Sequence, residues 1–460
     1  MNQYQFSSLN LLPELLANLE SLGFQSMTAI QAKSLPVIIE GGDVIAQGQT
    51  GSGKTAAFGL GLLNKLDPKL FKVQSLVLCP TRELAEQVST ELRRFARTIP
   101  NIKILTLYGG TPIHTQANSL EKGAHIVVGT PGRIEDLLNK RSLNVEHLNT
   151  LVLDEADRML DMGFQKTLQA IVDQMPTQRQ TLLFSATYPK QIQTMAEAVT
   201  KKAEFVKVAP TQDTARIEQL FYQVNNESHR VHALTLVLLE QNAQQVVVFC
   251  NTRQDTQQVS GALKSAGFSA GALHGEMEQK DRDQTLIRFS NSSLNILVAT
   301  DVAARGLDIK SLDLVINFHL PRELDVYTHR IGRTGRAGEK GVAISLFQSS
   351  EQFRIEQLEA RFDTQIQASE LPLEELLQQP PARPAMSTLR IEGGKKQKLR
   401  PGDLVGALTK SDKINGSQLG KIQMMDNWAY VAVERPIAKI ALQTLRDGKI
   451  KGKPFRARLI

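Results

Sequence analysis

A glycine-rich segment near the N-terminus places a lysine and a hydroxyl at the spacing of a phosphate-binding loop. Residues 48–55 read GQTGSGKT, which fits G-x-x-x-x-G-K-[ST], between the strand-like DVIAQ and the helical TAAFGLGLLNKL. Glycines let backbone N–H groups turn inward around phosphates, and a helix N-terminus adds positive potential. Lys54 can reach the terminal phosphates, and the Thr55 hydroxyl can coordinate Mg²⁺. The same phosphates are predicted to lie against the rest of the loop: Gly48, Gln49, Thr50, Gly51, Ser52 and Gly53. The alternative is an ordinary glycine-rich turn before a helix.

A second segment, LVLDEADRML at 151–160, ends an apolar run in clustered carboxylates. An acid at the tip of a buried parallel strand lies at the carboxyl edge of the sheet, where such folds bind ligands. There Asp154 can hold Mg²⁺, and Glu155 can orient and partly deprotonate the water that attacks a γ-phosphate. Clustered acids are stabilised beside a metal and a triphosphate, whereas a dry core would make them costly. The alternative is an acidic helix cap after a strand.

Basic residues occur in the second half of the chain, in HRIGRTGR at 329–336. Arg333 and Arg336 are three residues apart, and two guanidinium groups presented together suit a phosphoryl group in transfer. We expect them to act in trans on the nucleotide of the first half, and His329 is grouped with them as a candidate catalytic residue. Considered alone, such an arginine pair is more often a solvated helix face, and its combination with an ATP site in the other half reverses that interpretation.

The elements that must position these residues form two similar blocks. Residues 1–209 alternate apolar strand-like runs, such as SLVLCP, HIVVGTP and TLLFSAT, with helical patterns. Residues 215–365 repeat that style with QVVVFCNT, NILVATD and GVAISLF. Continuous apolar strands between helices indicate parallel sheets covered on both faces, so two α/β domains are predicted. Residues 366–385, rich in proline, have the composition of a linker.

The tail, residues 386–460, differs from the two α/β blocks in its pattern of apolar residues and in its charge. Its pattern predicts the order β-α-β-β-α-β, the ferredoxin-like arrangement used by RNA-recognition modules. It carries 16 Lys/Arg against 6 Asp/Glu, a balance of +10, whereas the rest of the chain carries 38 against 41. The net charge of +7 is therefore concentrated in the tail, which points to a separate module that meets a polyanion.

Composition argues against a membrane-spanning protein and against a secreted one. No apolar stretch is long enough for a membrane span, and MNQYQFSSLN does not resemble a secretory signal. Cys79 and Cys250 each end a β-like run, which favours two buried thiols in a reduced cytoplasmic protein over a disulfide or a metal pair.

With these residues in place, residues 1–365 closely resemble the DEAD-box RNA helicases. The ordered motifs are TAIQ (28–31), GQTGSGKT, PTREL (80–84), GG (109–110), TPGR (130–133), DEAD (154–157), SAT (185–187), FCNT (249–252), QKDR (279–282), ATDVAARGLD (299–308) and HRIGRTGR. The resemblance implies two tandem RecA-like domains, ATP and Mg²⁺ as cofactors, and an RNA-dependent ATPase that separates short RNA duplexes.

The resemblance also implies a role for individual residues. Phe6 and Gln31 would clasp adenine, Asp308 would meet the ribose, and Arg333 and Arg336 would act as arginine fingers. Asp157, Ser185 and Thr187 would couple ATP turnover to strand separation. RNA contacts in the helicase core are expected from Arg82, Gly110, Thr130, Arg133, Gln279, Arg282 and Thr300. MTAIQ lacks the prolines that often flank this threonine in the family.

The tail resembles the RNA-recognition module of bacterial family members that act on 23S ribosomal RNA during assembly of the large subunit. Such modules stack bases on aromatic residues of their central strands, but Arg390 and Val433 stand at two of the expected positions. Trp428 and Tyr430 remain, and they could either stack bases or pack on the sheet. Phosphate and shape contacts are expected from Arg390, Lys395, Lys396, Lys398, Lys451 and Lys453, for which the alternative is a solvated basic surface.

Three functions follow from these patterns. The first is a monomeric, cytoplasmic ATP-dependent RNA helicase in which the tail tethers the core beside ribosomal RNA. The second is a non-catalytic RNA-binding clamp or scaffold that keeps a decayed nucleotide fold. The third is a DNA-directed motor, which the RNA-like tail disfavours.

Overall fold

The computed structural model describes residues 4–49, 51–208, 217–304, 312–335, 341–410 and 413–460. The chain divides into two compact units, one containing the described residues up to 208 and the other those from 217 onward. The second unit contains both the second α/β domain and the C-terminal module, residues 386–460.

The first unit is a seven-stranded sheet between two layers of helices. Its strands are β1 Val44–Gln47, β2 Ser75–Leu78, β3 Ile104–Leu107, β4 Ile126–Gly129, β5 Thr150–Asp154, β6 Gln180–Ser185 and β7 Glu204–Lys207. Their order is β3-β4-β2-β5-β6-β1-β7, and every neighbouring pair is parallel. The helices are α1 Pro13–Ser21, α2 Ala29–Ile39, α3 Lys54–Lys65, α4 Arg82–Phe95, α5 Ile113–Glu121, α6 Pro131–Asn139, α7 Ala156–Asp161, α8 Gln165–Val172 and α9 Lys190–Val199.

The apolar run of β5 shows why this sheet is buried on both faces. Val152 lies in one apolar cluster, whereas Leu151 and Leu153 lie in another. Since successive residues of a strand point to opposite faces, a run without polar alternation requires helices on both sides. The polar end of β5 is thereby left at the carboxyl edge of the sheet.

The second α/β domain has a six-stranded parallel sheet in the order β10-β11-β9-β12-β13-β8. Its strands are β8 Ile217–Val224, β9 Val246–Cys250, β10 Ala270–Leu273, β11 Ile296–Thr300, β12 Leu314–Asn317 and β13 Gly341–Gln348. Its helices are α10 Glu227–Gln241, α11 Arg253–Ser265, α12 Gln279–Ser290, α13 Asp301–Ala304, α14 Leu324–Ile331 and α15 Gln352–Phe362. The two predicted RecA-like sheets are confirmed.

The C-terminal module has the predicted β-α-β-β-α-β order. Its elements are β14 Met386–Ile391, α16 Pro401–Leu408, β15 Leu419–Met424, β16 Ala429–Glu434, α17 Ala438–Asp447 and β17 Ala457–Leu459. The antiparallel sheet has the order β15-β16-β14-β17, so the two central strands are β14 and β16. Both helices pack on one face of this sheet through a small apolar core.

The segment with linker composition, 366–385, is held against the second α/β domain. The Ser369 N–H donates to the Phe221 carbonyl at 2.7 Å, and His232 Nε2 lies 2.7 Å from the Glu374 carboxylate. Leu371 packs on the apolar core of that domain. The segment therefore follows the surface of its own domain on the way to the module.

Two further observations concern the composition. Cys79 and Cys250 are free and buried, as predicted from the strand-like runs that they end. Within the described ranges, no helix is both long enough and apolar enough to cross a membrane.

Candidate active site and nucleic-acid interface

The phosphate-binding loop leaves β1 and enters α3 with its lysine folded back over the turn. Gly51 and Gly53 have φ of +88° and +94°, a left-handed conformation that glycine adopts without strain. A Cβ atom at Gly53 would also collide with the Gln31 side chain. The Lys54 ammonium is buried and donates to the Gly48 carbonyl at 2.7 Å. The described residues of the loop are thus held in place by contacts within the protein.

Helix α2 braces this loop from one side. The Thr28 hydroxyl donates to the Ser52 carbonyl at 2.7 Å, and Gln31 Nε2 donates to the Gly53 carbonyl at 3.1 Å. Gln31 Oε1 also accepts from the Thr28 N–H, which closes a capping box at the start of α2. Gln31, predicted to contact adenine, therefore connects helix α2 to the glycine-rich loop.

Phe6, predicted to clasp adenine, lies in the apolar core of the first unit. It is buried and packs edge-on against Phe24, with the ring centroids 6.5 Å apart. An adenine contact by Phe6 remains a prediction. Thr50 of the loop and Asp308, predicted to meet the ribose, lie outside the described residues.

The acidic cluster lies beside this loop, because β5 and β1 both flank β6. Asp154 ends β5, and Glu155 follows it in the left-handed conformation, with φ of 53°. Glu155 accepts from the buried Arg158 guanidinium at 2.7 Å. Burial, with a smaller contribution from Glu155, raises the pKa of the Asp154 carboxyl to about 7 although Lys54 acts to lower it. A buried carboxylate of this kind is stabilised by a cation.

The residues at this edge fit Mg²⁺ rather than a metal held by protein ligands alone. Asp154 and the partly exposed Thr55 offer hard oxygen ligands, and Mg²⁺ is usually held by one or two such groups plus substrate phosphates and water. Within the described parts of the chain, no group of three His, Cys, Asp or Glu side chains could hold a metal ion.

The third acid of the cluster connects the carboxyl end of β5 to the end of β6. Asp157 accepts from the Thr187 N–H and hydroxyl, each at 2.9 Å, and from the Ala186 N–H at 3.2 Å. The Ser185 hydroxyl donates to the Thr187 carbonyl and accepts from the Asp157 N–H. Burial acts to raise the pKa of Asp157, but the Thr187 donors leave it below its ordinary value. The three predicted coupling residues therefore form one network.

Four predicted RNA-contact residues of the first unit form two pairs at the carboxyl ends of β2, β3 and β4. Gly110 has φ of +83°, and a Cβ atom there would collide with the Arg82 guanidinium. Arg133 donates to Gln116 at 2.7 Å and to the Thr111 carbonyl at 3.0 Å. Thr130 precedes α6 and accepts the Arg133 N–H at its carbonyl. These three loops, which lie between residues 80 and 133 of the chain, come together at one edge of the sheet.

Predicted RNA contacts of the second domain lie on α12 and at the end of β11. Gln279 donates to Asp283 at 2.7 Å, and Arg282 donates to the Ala303 carbonyl at 3.1 Å. Thr300 ends β11, immediately before α13, which contains Ala303. The helix and the strand end are therefore connected through Arg282.

Sequence reasoning missed Arg330, an extensively hydrogen-bonded arginine of the HRIGRTGR segment. Arg330 is buried and donates to Asp301 through two nitrogens at 2.7 Å each, and also to Asn251 and Asn317. Arg330 lies one residue after His329 and three before Arg333, and nothing in the local sequence distinguishes its role from theirs. Arg333 follows α14 and is also buried, and Arg336 lies outside the described residues.

In the C-terminal module, two basic loops joined by a contact between residues 53 positions apart in sequence come together. The Lys395 and Lys396 N–H groups donate to the Met425 and Asp426 carbonyls at 2.8 and 2.9 Å. The Lys451 ammonium donates to the Lys398 carbonyl at 3.2 Å. We call the resulting surface the lysine edge, comprising Lys395, Lys396, Lys398, Lys451 and Lys453. All five side chains are exposed.

Two of the predicted RNA-contact residues of the module, Arg390 and Tyr430, are covered by protein in this structure, and an RNA contact by either remains a prediction. Each is only 2% exposed. The Arg390 guanidinium lies 4.0 Å from the centre of the Trp428 ring, and Trp428 itself is half-buried. The Arg390 guanidinium is thus covered by protein. A phosphate group cannot reach it in this arrangement.

Three family descriptions match consecutive parts of the chain. Residues 28–195 match the DEAD/DEAH box helicase family, residues 227–338 the helicase conserved C-terminal domain, and residues 388–459 the DbpA RNA binding domain. The matches coincide with the two parallel-sheet domains and the C-terminal module.

Individual proteins are similar over most of the chain. ATP-dependent RNA helicase DbpA of Escherichia coli strain K12 is 49% identical over 99% of both chains. DEAD-box ATP-dependent RNA helicase CshA of Geobacillus kaustophilus is 44% identical over 74% of this chain and 73% of its own. A solved structure of S. cerevisiae Dbp5 bound to RNA and ADP BeF3 is 30% identical, with a TM-score of 0.71, covering 81% of this chain and 96% of that one.

Proposed function

The chain belongs to the DEAD-box ATP-dependent RNA helicases, and on that premise we propose that it remodels 23S ribosomal RNA during assembly of the large ribosomal subunit. The observation that supports this most is the combination, in one chain, of an intact nucleotide edge at Lys54, Asp154 and Glu155 with a terminal module of net charge +10. ATP binding and RNA binding are properties of the family, whereas the choice of ribosomal RNA is our proposal.

In the nucleotide step, the first unit binds and orients the triphosphate. The loop N–H groups and Lys54 grip the phosphates, with Gln31 at the adenine and Asp308 at the ribose. Asp154 and Thr55 are the proposed ligands of Mg²⁺, which when bound neutralises phosphate charge as a Lewis acid. Asp154 must give up its proton to act in this way, since burial holds its pKa near 7.

Glu155 is the proposed base for the attacking water. Its ion pair with Arg158 holds one carboxylate oxygen at 2.7 Å and leaves the second oxygen to accept a hydrogen bond from water. Water oriented in this way attacks the γ-phosphate in line with the leaving oxygen. Arg333 and Arg336 of the second domain, with His329 nearby in sequence, are proposed to stabilise the charge that develops in the transition state.

Strand separation is proposed to follow from closure of the two units around ATP and RNA, a ligand-driven shift of population. The RNA backbone would contact Arg82, Gly110, Thr130 and Arg133 of one unit and Gln279, Arg282 and Thr300 of the other. The network of Asp157, Ser185 and Thr187 couples the acidic edge to this movement.

The C-terminal module is proposed to tether the core beside its ribosomal target, which raises the effective concentration of the core at neighbouring duplexes. The exposed lysine edge supports this role, because clustered lysines bind phosphates without requiring a base sequence. We further propose that the protein acts as a monomer in the cytoplasm, where its two buried thiols stay reduced.

Substitution of the proposed base tests the mechanism. Glu155→Gln should lower RNA-stimulated ATP hydrolysis by at least about 100-fold, because the amide cannot accept a proton from water. Affinities for ATP and RNA, measured by equilibrium titration, should stay within a few-fold of the wild type. Glu121→Gln, at an exposed position, is the matched control. Normal steady-state hydrolysis by Glu155→Gln would contradict the role assigned to Glu155.

The same assay separates the alternatives. A non-catalytic clamp or scaffold would show no ATP hydrolysis by the wild-type protein with or without RNA. A DNA-directed motor would be stimulated by DNA as strongly as by RNA. We expect stimulation by RNA alone.

A further inference from the structure

A buried ion pair joins Glu155 to Arg158, which lies one turn further along α7. Arg158 Nη1 is 2.7 Å from Glu155 Oε2, and the arginine and glutamate side chains are 6% and 7% exposed. Removing two charges from water is costly, and their attraction repays that cost only when the geometry is good. The pair therefore constrains the direction of both side chains as well as balancing their charges.

The contact uses one oxygen of the carboxylate. Across the described ranges of the chain, the Glu155 carboxylate accepts a hydrogen bond from Arg158 alone, at Oε2. Arginine often binds a carboxylate through two parallel hydrogen bonds, which would occupy both oxygens. The single contact instead holds one oxygen and leaves Oε1 to accept a hydrogen bond from a water molecule.

The backbone of Glu155 is held from the same side. Its φ of 53° and ψ of 51° are in the left-handed region, which residues with a side chain adopt rarely and under strain. The Met159 N–H donates to the Glu155 carbonyl at 3.2 Å, and Arg158 bonds the Glu155 side chain. Backbone and side chain of Glu155 are thus both fixed by the first turn of α7.

Arg158 also contributes to the charge balance of the acidic cluster, and this second effect is a different role from orientation. Burial raises the pKa of the Asp154 carboxyl, while Lys54 and, more weakly, Arg158 act to lower it. Charge balance is shared with Lys54 and needs no particular direction. The hydrogen bond to Glu155 is directional, so the two roles of Arg158 are separable by experiment.

We propose that Arg158 is a positioning residue for ATP hydrolysis, which holds the Glu155 carboxylate so that Oε1 faces the attacking water. In that step the water oxygen bonds to the γ-phosphorus as the bond to the leaving ADP oxygen breaks, and a water proton passes to Oε1. Arg158 touches neither water nor nucleotide and acts only through Glu155. A reacting group misplaced by about 1 Å can cost about 100-fold in rate. The inference rests on the proposed function, in which Glu155 is the base.

A double-mutant cycle in the full-length protein tests this role. Arg158→Met removes the donor and should lower the single-turnover rate of ATP hydrolysis, at saturating ribosomal RNA, by about 10- to 100-fold. The ATP concentration for half-maximal rate should stay within about twofold, because ATP binding does not involve this pair. In the Glu155→Gln background the same change should alter the rate by less than about threefold, since the amide cannot take the proton. Arg97→Met, at an exposed position of the same unit, is the matched control.

Three results of this cycle would overturn the inference. An equal loss of rate in both backgrounds would mean that Arg158 acts independently of Glu155. A rise in the half-maximal ATP concentration at unchanged maximal rate would assign Arg158 to binding instead. A wild-type rate in Arg158→Met would show that the ion pair has no part in hydrolysis.

Arg158→Lys keeps the inference testable if a buried glutamate without its partner impairs folding. Lysine retains the positive charge, but its ammonium is a point charge on a flexible stem and does not fix the plane of a carboxylate. The rate should fall by about three- to tenfold with Glu155 present and should not fall further in Glu155→Gln. A wild-type rate in Arg158→Lys would show that charge alone is sufficient and would disprove positioning. Normal hydrolysis by Glu155→Gln would instead disprove the proposed function, so the two failures are distinguishable.

Discussion

At the scale of single residues, the carboxyl end of β5 carries a buried carboxyl group whose ionised form is disfavoured by its surroundings. Asp154 is buried beside Glu155, and its pKa of about 7 compares with an ordinary value of 3.8. Between these two pH values the folded protein binds more protons than the unfolded chain, so the free energy of unfolding falls as pH rises. Above about pH 7 the ionised carboxylate exerts its full destabilising effect on the ligand-free protein.

Removing this charge should therefore stabilise the protein while abolishing its activity. Asp154→Asn, measured by thermal unfolding without nucleotide or divalent cations, should gain roughly 1–3 kcal/mol over the wild type at pH 8.5 and less at pH 5.5. Asp136→Asn, at an exposed helical position, is the control. Equal stability of Asp154→Asn and the wild type at pH 8.5 would mean that the buried carboxylate carries no such penalty.

Arg330 holds together the strand ends of the second domain. Its guanidinium connects α13, β9 and β12 through Asp301, Asn251 and Asn317. Removal of one partner from a buried ion pair leaves the other charge without compensation, so Arg330→Ala should cost about 3–5 kcal/mol in urea unfolding. Arg330→Lys should recover little, because an ammonium cannot reproduce the planar set of donors. Arg322→Ala, at an exposed position, serves as the control. A loss below about 1 kcal/mol for Arg330→Ala would contradict this account, because so small an effect is typical of surface sites.

At the scale of elements, a single glycine decides how the lysine edge is presented. Gly394 lets the lysine loop approach the β15–β16 turn so closely that an added Cβ would collide with the Met425 carbonyl oxygen and lie 2.7 Å from the Asp426 carbonyl oxygen. The N–H groups of the next two lysines donate to those same carbonyls. The loop therefore depends on close backbone contact rather than on its own conformational preference.

Gly394→Ala should separate the loop from the turn and weaken binding of 23S ribosomal RNA by about tenfold, as measured by filter binding at fixed salt. Gly406→Ala is the matched control, since a Cβ there meets nothing within 4 Å and alanine favours the α16 helix. RNA affinity unchanged by Gly394→Ala would place the binding surface elsewhere on the module.

At the scale of the whole molecule, charge is divided between a nearly neutral core and a strongly basic module. Removal of residues 386–460 should leave a weak ATPase that any RNA stimulates about equally, measured as the RNA concentration for half-maximal stimulation. Because truncation also uncovers Asn291 and Ser293 of the second domain, which the module contacts, the triple variant Lys395→Glu/Lys396→Glu/Lys451→Glu provides a full-length comparison that keeps this contact. If the truncated core still preferred 23S ribosomal RNA over random RNA of equal length, the tether would be disproved.

The sequence alone predicted the two parallel-sheet domains, the C-terminal module and the candidate nucleotide site. Apolar runs without polar alternation predicted the buried parallel strands. The glycine and lysine spacing of residues 48–55 and the pair Asp154–Glu155 predicted a phosphate site at the carboxyl edge of the first sheet. These features are local, because a strand, a tight turn and a helix start depend on residues that are close in sequence. The strands that sequence analysis missed, β3, β7 and β8, are short or mixed in polarity and are recognised only by their pairing with distant neighbours.

Tertiary structure decided which charged and aromatic side chains are open to a ligand. Arg390, Tyr430 and Phe6 are residue types suited to RNA or adenine, yet each is buried by partners that are distant in sequence. Arg330 resembles its neighbours in sequence but becomes a buried hub because three strand ends converge on it. Accessibility is a property of long-range packing, since the same side chain is exposed or covered according to which element is placed over it, and no local pattern encodes that choice.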